Sequence, residues 1–460
     1  MPALLCRLSF NVGSRVGYSC CFSVAVCSGV NAHDGIRKQP PPCSIKEICK
    51  ISEGGMFHSD PEHEARFLNH EHTVSNCVAD LNTMTSLEYE QPLIGSKGTR
   101  VTATFSEAML GGFMGIGVIF SAWGQVYGYG GNYVDFSHCY GGLPQGDLSN
   151  VKKCFTFERV ENVHAFEHLV FYVTVLMLVV FLGSLILGHI VHKRGTADPS
   201  LVDRLWSIVP AVYCSFLYYR ATLEIADSNM DAGTGHRLLL VAVLTTCWAT
   251  RLTWNFARKG GFSGGEDYRW VVVQSWMTKF QFECFNLVFI VGAQLTVLIG
   301  ICTPAGAAYL AGFDKQDHSI NSIDVAATAC FLCHLYLEYM ADNEMFTFQT
   351  NKYANKKAGV KAPKGSEEED GFIQSGMWSV SRHPNYYSEV TLWWTIYLFS
   401  VAATGELFNF SCIGVVWLTV LFVPPRGSLD MTESISSRKY SKYESYQEKV
   451  SRFFPWFASN

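Results

Sequence analysis

The sequence predicts an all-α fold, a polytopic transmembrane helical bundle of about eight spans. Of the 460 residues, 48% are hydrophobic and only 16% are charged, whereas soluble domains carry about 25% charged residues. The apolar residues form blocks such as 169–188 and 284–303, which match the roughly 20-residue helix that crosses a bilayer. Neither block alternates apolar and polar residues with a period of two, which favours helices over strands.

Each predicted span is an apolar block flanked by polar residues. The spans are 108–128, 166–190, 205–222, 237–256, 283–303, 323–341, 388–403 and 408–424. Groups of Lys and Arg follow the second, fourth, sixth and eighth spans, whereas the loops between them contain few basic residues. Because basic loops stay in the cytosol, both termini are predicted to be cytosolic and residues 223–236 to be lumenal.

The chain divides into three predicted parts. Residues 1–105 are polar and irregular, and we expect a disordered or targeting extension there. The first 30 residues carry Arg7 and Arg15 and no acidic residue. Three interpretations stay open: a signal peptide, a transit peptide and a mis-assigned start. Residues 106–200 are predicted to form N-terminal transmembrane helices, and 201–460 the transmembrane domain with the candidate site. The net charge of −5 indicates no nucleic-acid partner.

Charged residues at the ends of three predicted spans mark a candidate site. Arg251, Glu338, Asp342 and Glu389 all fall at the same, cytosolic depth, although charge within a bilayer is costly. Glu338 and Asp342 are four residues apart and share a helical face, as do Asn385 and Glu389. A structural ion-pair network is one interpretation. We favour a polar cavity that binds a charged ligand, because both signs of charge converge there with amide groups.

The loop RKGGFSGGEDYRW, residues 258–270, is rich in glycine and basic residues. Glycines let the backbone approach a ligand closely. Arg258, Lys259 and Arg269 suit phosphate groups, and Asp267 could accept a hydrogen bond from a ribose. A flexible loop between helices is the alternative interpretation.

The stretch SRHPNYYSEV, residues 381–390, begins a predicted helix. Arg382 and His383 precede a proline, which suits the first turn of a helix. An arginine, a histidine and a helix N-terminus together favour an anion, and Tyr386 could donate a proton. Anchoring of the adjacent tyrosines at the membrane surface is the alternative.

No metal site is expected. His164, Glu167 and His168 match the H-x-x-E-H pattern of some zinc proteases. A zinc ion needs a third protein ligand, and this segment is separated from the other polar clusters.

From about residue 203 to 455 the chain resembles the steroid 5-alpha-reductase-like integral membrane family, specifically its uncharacterised branch. The resemblance rests on five stretches in the expected order: DRLWSIVPAVY, CWATRLTWNFARKGGFSGGEDYRW, EYMADNEMFTF, SRHPNYYSEV and SRKYSKYESYQEKVSRFFP. Sterol reductases and isoprenylcysteine carboxyl methyltransferases are similar around RHPNY and the tyrosine-rich tail.

The resemblance implies a helical bundle that NADPH enters from the cytosol, with hydride transfer to a conjugated C=C bond of a lipid-soluble enone or enal. It implies that Asn385 and Glu389 hold the nicotinamide end and that Glu433 and Tyr440 belong to a segment that closes over the cofactor. The motifs and the resemblance together give one set of candidate cofactor-binding residues. The set is Arg251, Asn255, Arg258, Asp267, Tyr268, Arg269, Glu338, Asp342, Arg382, His383, Asn385, Glu389, Glu433 and Tyr440.

The sequence departs from the steroid reductases on the substrate side. Those enzymes place a proton-donating tyrosine three residues before the position of Arg251, where this chain has Trp248. An indole has no proton of useful acidity. The predicted catalytic residues are therefore Tyr386 and Asp203, with water as a further proton source. The expected location is the endoplasmic reticulum, and the expected partners are a lipid-soluble small molecule and membrane lipids.

Two other functions stay open. The first is methyl transfer from S-adenosylmethionine to a lipid or to a lipidated cysteine. The basic residues Arg251, Arg258, Lys259, Arg269 and Arg382 favour NADPH, because S-adenosylmethionine carries no phosphate. The second is a non-enzymatic scaffold or a transporter, for which inverted repeats would be the sign.

Overall fold

The computed structural model describes residues 105–127, 146–149, 151, 165–263, 267–314, 318–424 and 427–456. The predicted N-terminal extension lies outside the described residues, apart from its last position. Within these ranges every regular element is helical, as the sequence predicts.

The described helices, in chain order, are α1 Phe105–Val126, α2 Ala165–Leu185 with a π-helical continuation Ile186–Val191, α3 Ser200–Leu205, α4 Ile208–Ala226, α5 Ala232–Arg258, α6 Tyr268–Gln274, α7 Lys279–Gly300 with a π-helical middle Asn286–Ala293, α8 Thr303–Ala311, α9 Ser322–Lys357, α10 Glu367–Asp370, α11 Pro384–Thr404, α12 Ile413–Phe422, α13 Ser428–Lys439 and α14 Tyr443–Lys449. Short 3-10 turns lie at Gly376–Ser379 and Phe410–Cys412.

Four of these helices are long and apolar enough to cross a bilayer: α1, α2 with its continuation, α7 and α9. The protein is therefore an integral membrane protein. The other predicted spans fall on α4, α5, α11 and α12, which are less apolar or shorter, and their crossing stays a prediction. Two helices differ in length from the predicted spans: α7 ends at Gly300 and the short buried helix α8 follows it, whereas α9 continues past residue 341 to Lys357.

The core is built by close packing of α9 with α11, of α4 with α5 and of α8 with α11. Trp123, Trp248 and Trp393 are its largest side chains and are almost completely buried. On α1, a Cβ at Gly115 would lie 2.5 Å from the Trp417 ring. Gly115 thus serves helix packing, because only glycine lets the two surfaces approach so closely, whereas a Cβ at Gly111 or Gly117 would meet nothing within 4 Å.

The starts of α5 and α9 and the end of α11, which adjoin loops with few basic residues, lie together at one end of the bundle. The start of α5 joins the start of α9 through a buried pair, Arg237 Nε to Asp324 Oδ1, at 2.9 Å. Asn321, which caps α9, donates to the carbonyl of Ala402 near the end of α11. A cavity of about 550 Å³ lies at this end, among the ends of α1, α8 and α11. The predicted cofactor-binding residues on α5, α9 and α11 lie at the opposite end.

Candidate functional site

Arg251 of α5 links two carboxylates of α9. Its Nη1 lies 2.7 Å from Glu338 Oε1 and its Nη2 lies 2.7 Å from Asp342 Oδ2. The same Asp342 oxygen accepts from Asn255 Nδ2 at 2.7 Å, and Lys259 Nζ lies 3.4 Å from the other oxygen. Glu338 and Asp342 are one helical turn apart and therefore both reach the one guanidinium. We name Arg251, Asn255, Glu338 and Asp342 the carboxylate–arginine cluster.

Glu389 of α11 lies beside this cluster and is held by two indoles. Its Oε2 accepts from Trp248 Nε1 at 2.8 Å and its Oε1 accepts from Trp393 Nε1 at 3.0 Å. The two rings are fully buried and meet edge to face. Glu389 also interacts electrostatically with Glu338. Trp248, which stands where the steroid reductases place a tyrosine, thus donates its N–H within the protein.

Arg258, at the end of α5, differs from the other predicted phosphate-binding residues. Its guanidinium lies 4.3 Å from the ring centroids of both Trp254 and Phe346. Its Nε and Nη1 donate to the amide oxygens of Asn255 and Asn343, at 2.9 and 3.0 Å. Within the described residues, its buried Nη2 has no hydrogen-bond partner. The contacts of this cation are therefore aromatic and amide groups, which leaves its charge available to an anion.

The two predicted catalytic residues are neighbours of one guanidinium. Asp203 of α3 accepts from Trp270 Nε1 at 2.7 Å. Burial raises the pKa of Asp203 to about 6, against the opposing effects of Arg269 and of the Trp270 hydrogen bond. Arg269 pairs with Asp267, the N-cap of α6, at 2.8 Å, and interacts electrostatically with both Asp203 and Tyr386. A carboxyl group whose pKa is raised to about 6 and a phenol thus both lie within electrostatic range of Arg269.

Arg382 and His383 hold the C-terminal segment against the start of α11. Arg382 Nε lies 2.6 Å from Glu433 Oε1, and its Nη1 donates to the carbonyls of Gln447 and Val450 at 2.8 and 2.6 Å. His383 Nε2 lies 3.2 Å from the same Glu433 oxygen. Burial would raise the pKa of Glu433, but the hydrogen bonds from His383 and Arg382 outweigh it and lower the pKa to about 2. We name Arg382, His383 and Glu433 the tail clamp.

Tyr440 lies apart from the carboxylate–arginine cluster. The Tyr440 hydroxyl lies 3.4 Å from Lys352 Nζ, near the end of α9, which places it about 15 Å along the helix from Asp342 at 1.5 Å per residue. Tyr268 begins α6, and its side chain lies outside the described part of the structure, as do residues 264–266 of the glycine-rich loop.

Several buried polar atoms near the cluster lack a hydrogen-bond partner among the described residues. They are Arg251 Nε, Asn385 Oδ1, Ser388 Oγ and His334 Nδ1. Nearly all buried polar groups in proteins are paired with protein or water, so these atoms indicate a place for another polar molecule. The sequence analysis does not identify His334 and Ser388. The available signal is the four-residue spacing of His334, Glu338 and Asp342 along α9.

These features define a class of protein: an integral membrane helical bundle with a buried ionisable site at one end of its helices. The chain belongs to the DUF1295 family, described as a protein of unknown function, whose model matches residues 189–450. It is also 32% identical over 314 residues to an uncharacterized protein of Schizosaccharomyces pombe. The aligned region covers 67% of this chain and 86% of the relative. No solved structure matches the chain. The matched region contains every predicted site residue.

Proposed function

We propose that the protein is a membrane-bound, NADPH-dependent reductase of the conjugated C=C bond of a lipid-soluble enone or enal, located in the endoplasmic reticulum. The observation that carries the proposal is the group of Asp203, Arg269 and Tyr386. Reduction of an enone consumes a proton as well as a hydride, and a carboxyl group with a pKa of about 6 is a suitable acid at neutral pH. Transfer of a methyl group to a thiolate or a carboxylate would need no such acid.

The chain's own residues fit the parts of NADPH to different degrees. Arg258, with its unpartnered Nη2, suits a phosphate. Asn385 Oδ1 suits the N–H of the nicotinamide carboxamide. Both oxygens of Glu389 already accept from indoles, so Glu389 orients the first turns of α11, and any contact with the carboxamide would use its remaining lone pairs. When bound, NADPH supplies the hydride.

Proton supply falls to the residues around Arg269. Asp203 takes up a proton more readily than an ordinary carboxyl, because burial disfavours its ionised form. Arg269 interacts electrostatically with this carboxyl and with the Tyr386 phenol. The resemblance over residues 203–455 supports the same class of reaction.

One observation favours the S-adenosylmethionine alternative. Arg251, Lys259, Arg269 and Arg382 each contact a carboxylate, so fewer positive charges are available for phosphates than the sequence alone predicts. A cofactor without phosphates needs fewer of them.

A binding titration distinguishes the two candidates. The full-length protein in lipid nanodiscs is titrated with NADPH, NADH and S-adenosylmethionine, and energy transfer or quenching of tryptophan fluorescence reports binding. Arg258→Gln should weaken NADPH binding by about 10- to 150-fold, the equivalent of one charge-assisted hydrogen bond, and should leave S-adenosylmethionine unaffected. Arg438→Gln, at an exposed arginine of α13, is the matched control. Binding of S-adenosylmethionine but not of NADPH would overturn the reductase proposal.

A further inference from the structure

The seam between α9 and α11 contains polar groups that the proposed cofactor and proton donor do not use. On α9, His334 lies one turn before Glu338, on the same helical face. On α11, Tyr387 meets the His334 ring at 5.6 Å, and Glu389 interacts with Glu338. Ser388 stands between these two α11 residues and is completely buried. It therefore lies within one helical turn of both of these contacts with α9.

The polar atoms of this seam are not satisfied within the described chain. Ser388 Oγ and His334 Nδ1 are buried without a hydrogen-bond partner, and so is Asn385 Oδ1 one turn towards the start of α11. The Glu338 carboxyl, by contrast, has the Glu389 carboxyl as a hydrogen-bonding neighbour. A buried hydroxyl ordinarily returns its proton to a carbonyl of its own helix, as Ser400 of α11 does to Tyr397. Among the described residues Ser388 has no such bond, so its hydroxyl is available to another molecule.

The surroundings select the chemistry of that partner. Glu338, Glu389 and the Asn385 amide oxygen repel an anion, and Arg251 is already paired with Glu338 and Asp342. His334 is only half-buried, and Cys330, one turn away on the same side of α9, is exposed. Because α9 is long and apolar enough to span a bilayer, this end of the seam opens towards lipid. A neutral, lipid-soluble molecule with a single hydrogen-bond acceptor fits both conditions.

We infer that His334 and Ser388 bind the carbonyl oxygen of the lipid-soluble substrate. The inference rests on the proposed function, since an enone or enal carries such an oxygen. It places the substrate's polar end within about one helical turn of Asn385. The imidazole and the hydroxyl can both donate a hydrogen bond to one carbonyl oxygen.

Binding of a long-chain saturated methyl ketone, compared with the alkane of equal length, tests this without any cofactor. The full-length protein in nanodiscs is used, and the carbonyl stretching band of an isotope-labelled ketone reports hydrogen bonding. The wild type should bind the ketone more tightly than the alkane, with the band shifted to lower frequency. His334→Phe and Ser388→Ala should each weaken ketone binding by about tenfold, one neutral hydrogen bond, and reduce the band shift. His334→Asn, which keeps a polar group near Nδ1, should restore part of it.

Ser400→Ala is the matched control, because this buried serine of the same helix already has an acceptor. Equal binding of ketone and alkane would mean that ordered water alone satisfies the seam and would overturn the inference. Unchanged ketone binding in His334→Phe and Ser388→Ala would overturn it as well. NADPH titration of the same variants separates the two proposals, since ketone binding without NADPH binding refutes the reductase and retains the carbonyl site.

Discussion

Replacement of Glu389 should destabilise the bundle, because two buried indoles depend on its carboxylate. Glu389→Ala leaves Trp248 Nε1 and Trp393 Nε1 without acceptors in rings that are fully buried. Each orphaned donor costs about 1–3 kcal/mol, so the expected loss is about 2–6 kcal/mol in the free energy of unfolding. Glu389→Gln keeps one acceptor oxygen but turns an NH₂ group towards the second indole. Its free energy of unfolding should therefore fall by about half as much as that of Glu389→Ala.

Thermal unfolding in nanodiscs measures this loss as a lower midpoint. Glu406→Ala, at an exposed carboxylate beyond the other end of α11, controls for the loss of charge. A double-mutant cycle with Trp393→Phe should give a coupling of about 1.5–3 kcal/mol, the range for a hydrogen bond to a charged group. A wild-type midpoint for Glu389→Ala would refute this reasoning. NADPH affinity per folded molecule is a separate readout: a loss of about tenfold or more would also assign the nicotinamide end to Glu389.

Three further predictions concern acid–base chemistry, the C-terminal segment and topology. Since burial raises the pKa of Asp203 from 3.8 to about 6, enone reduction should slow as the pH rises through about 6. As the pH rises from about 4 to about 6, the free energy of unfolding should fall, because in this range the folded protein binds more protons than the unfolded chain. Asp203→Asn should remove both dependences, and an unchanged pH profile would exclude Asp203 as the donor. Glu433→Gln should release residues 428–456 to limited proteolysis, whereas the exposed Glu448→Gln should not, and equal cleavage would contradict the role of the tail clamp. Epitope tags should place both termini in the cytosol and 223–236 in the lumen, and protease protection of a C-terminal tag in sealed vesicles would contradict that topology.

The sequence predicts which segments are helices and that Arg251 lies near Glu338 and Asp342, because both follow from simple periodicities. A span is a long apolar block, and two carboxylates four residues apart must share a face. The arginine then has to lie at the same depth, since an unpaired charge within the bilayer is costly.

Other parts of the site depend on tertiary contacts that no local pattern reveals. The sequence around Arg382 has the composition of an anion site. Arg382 nevertheless pairs with Glu433, fifty-one residues further along the chain. Glu389 meets Trp248, which lies 141 residues earlier. Ser388 lies in a stretch of sequence that gives no sign of a binding role, and only the folded structure shows that it is completely buried. The end of α7 is a different case, because Pro304 at the start of α8 signals the break that the predicted span 283–303 overruns.

The tail clamp has a consequence for biosynthesis. The start of α11, which carries Asn385 and Tyr386, is fixed by Glu433 and by the carbonyls of residues 447 and 450. These residues follow α12, the last of the strongly apolar helices described, so all the apolar helices can insert during translation before the clamp forms. A nonsense mutation between α12 and α13 would therefore yield a protein that enters the membrane without completing its pocket, and we expect cellular quality control to remove it.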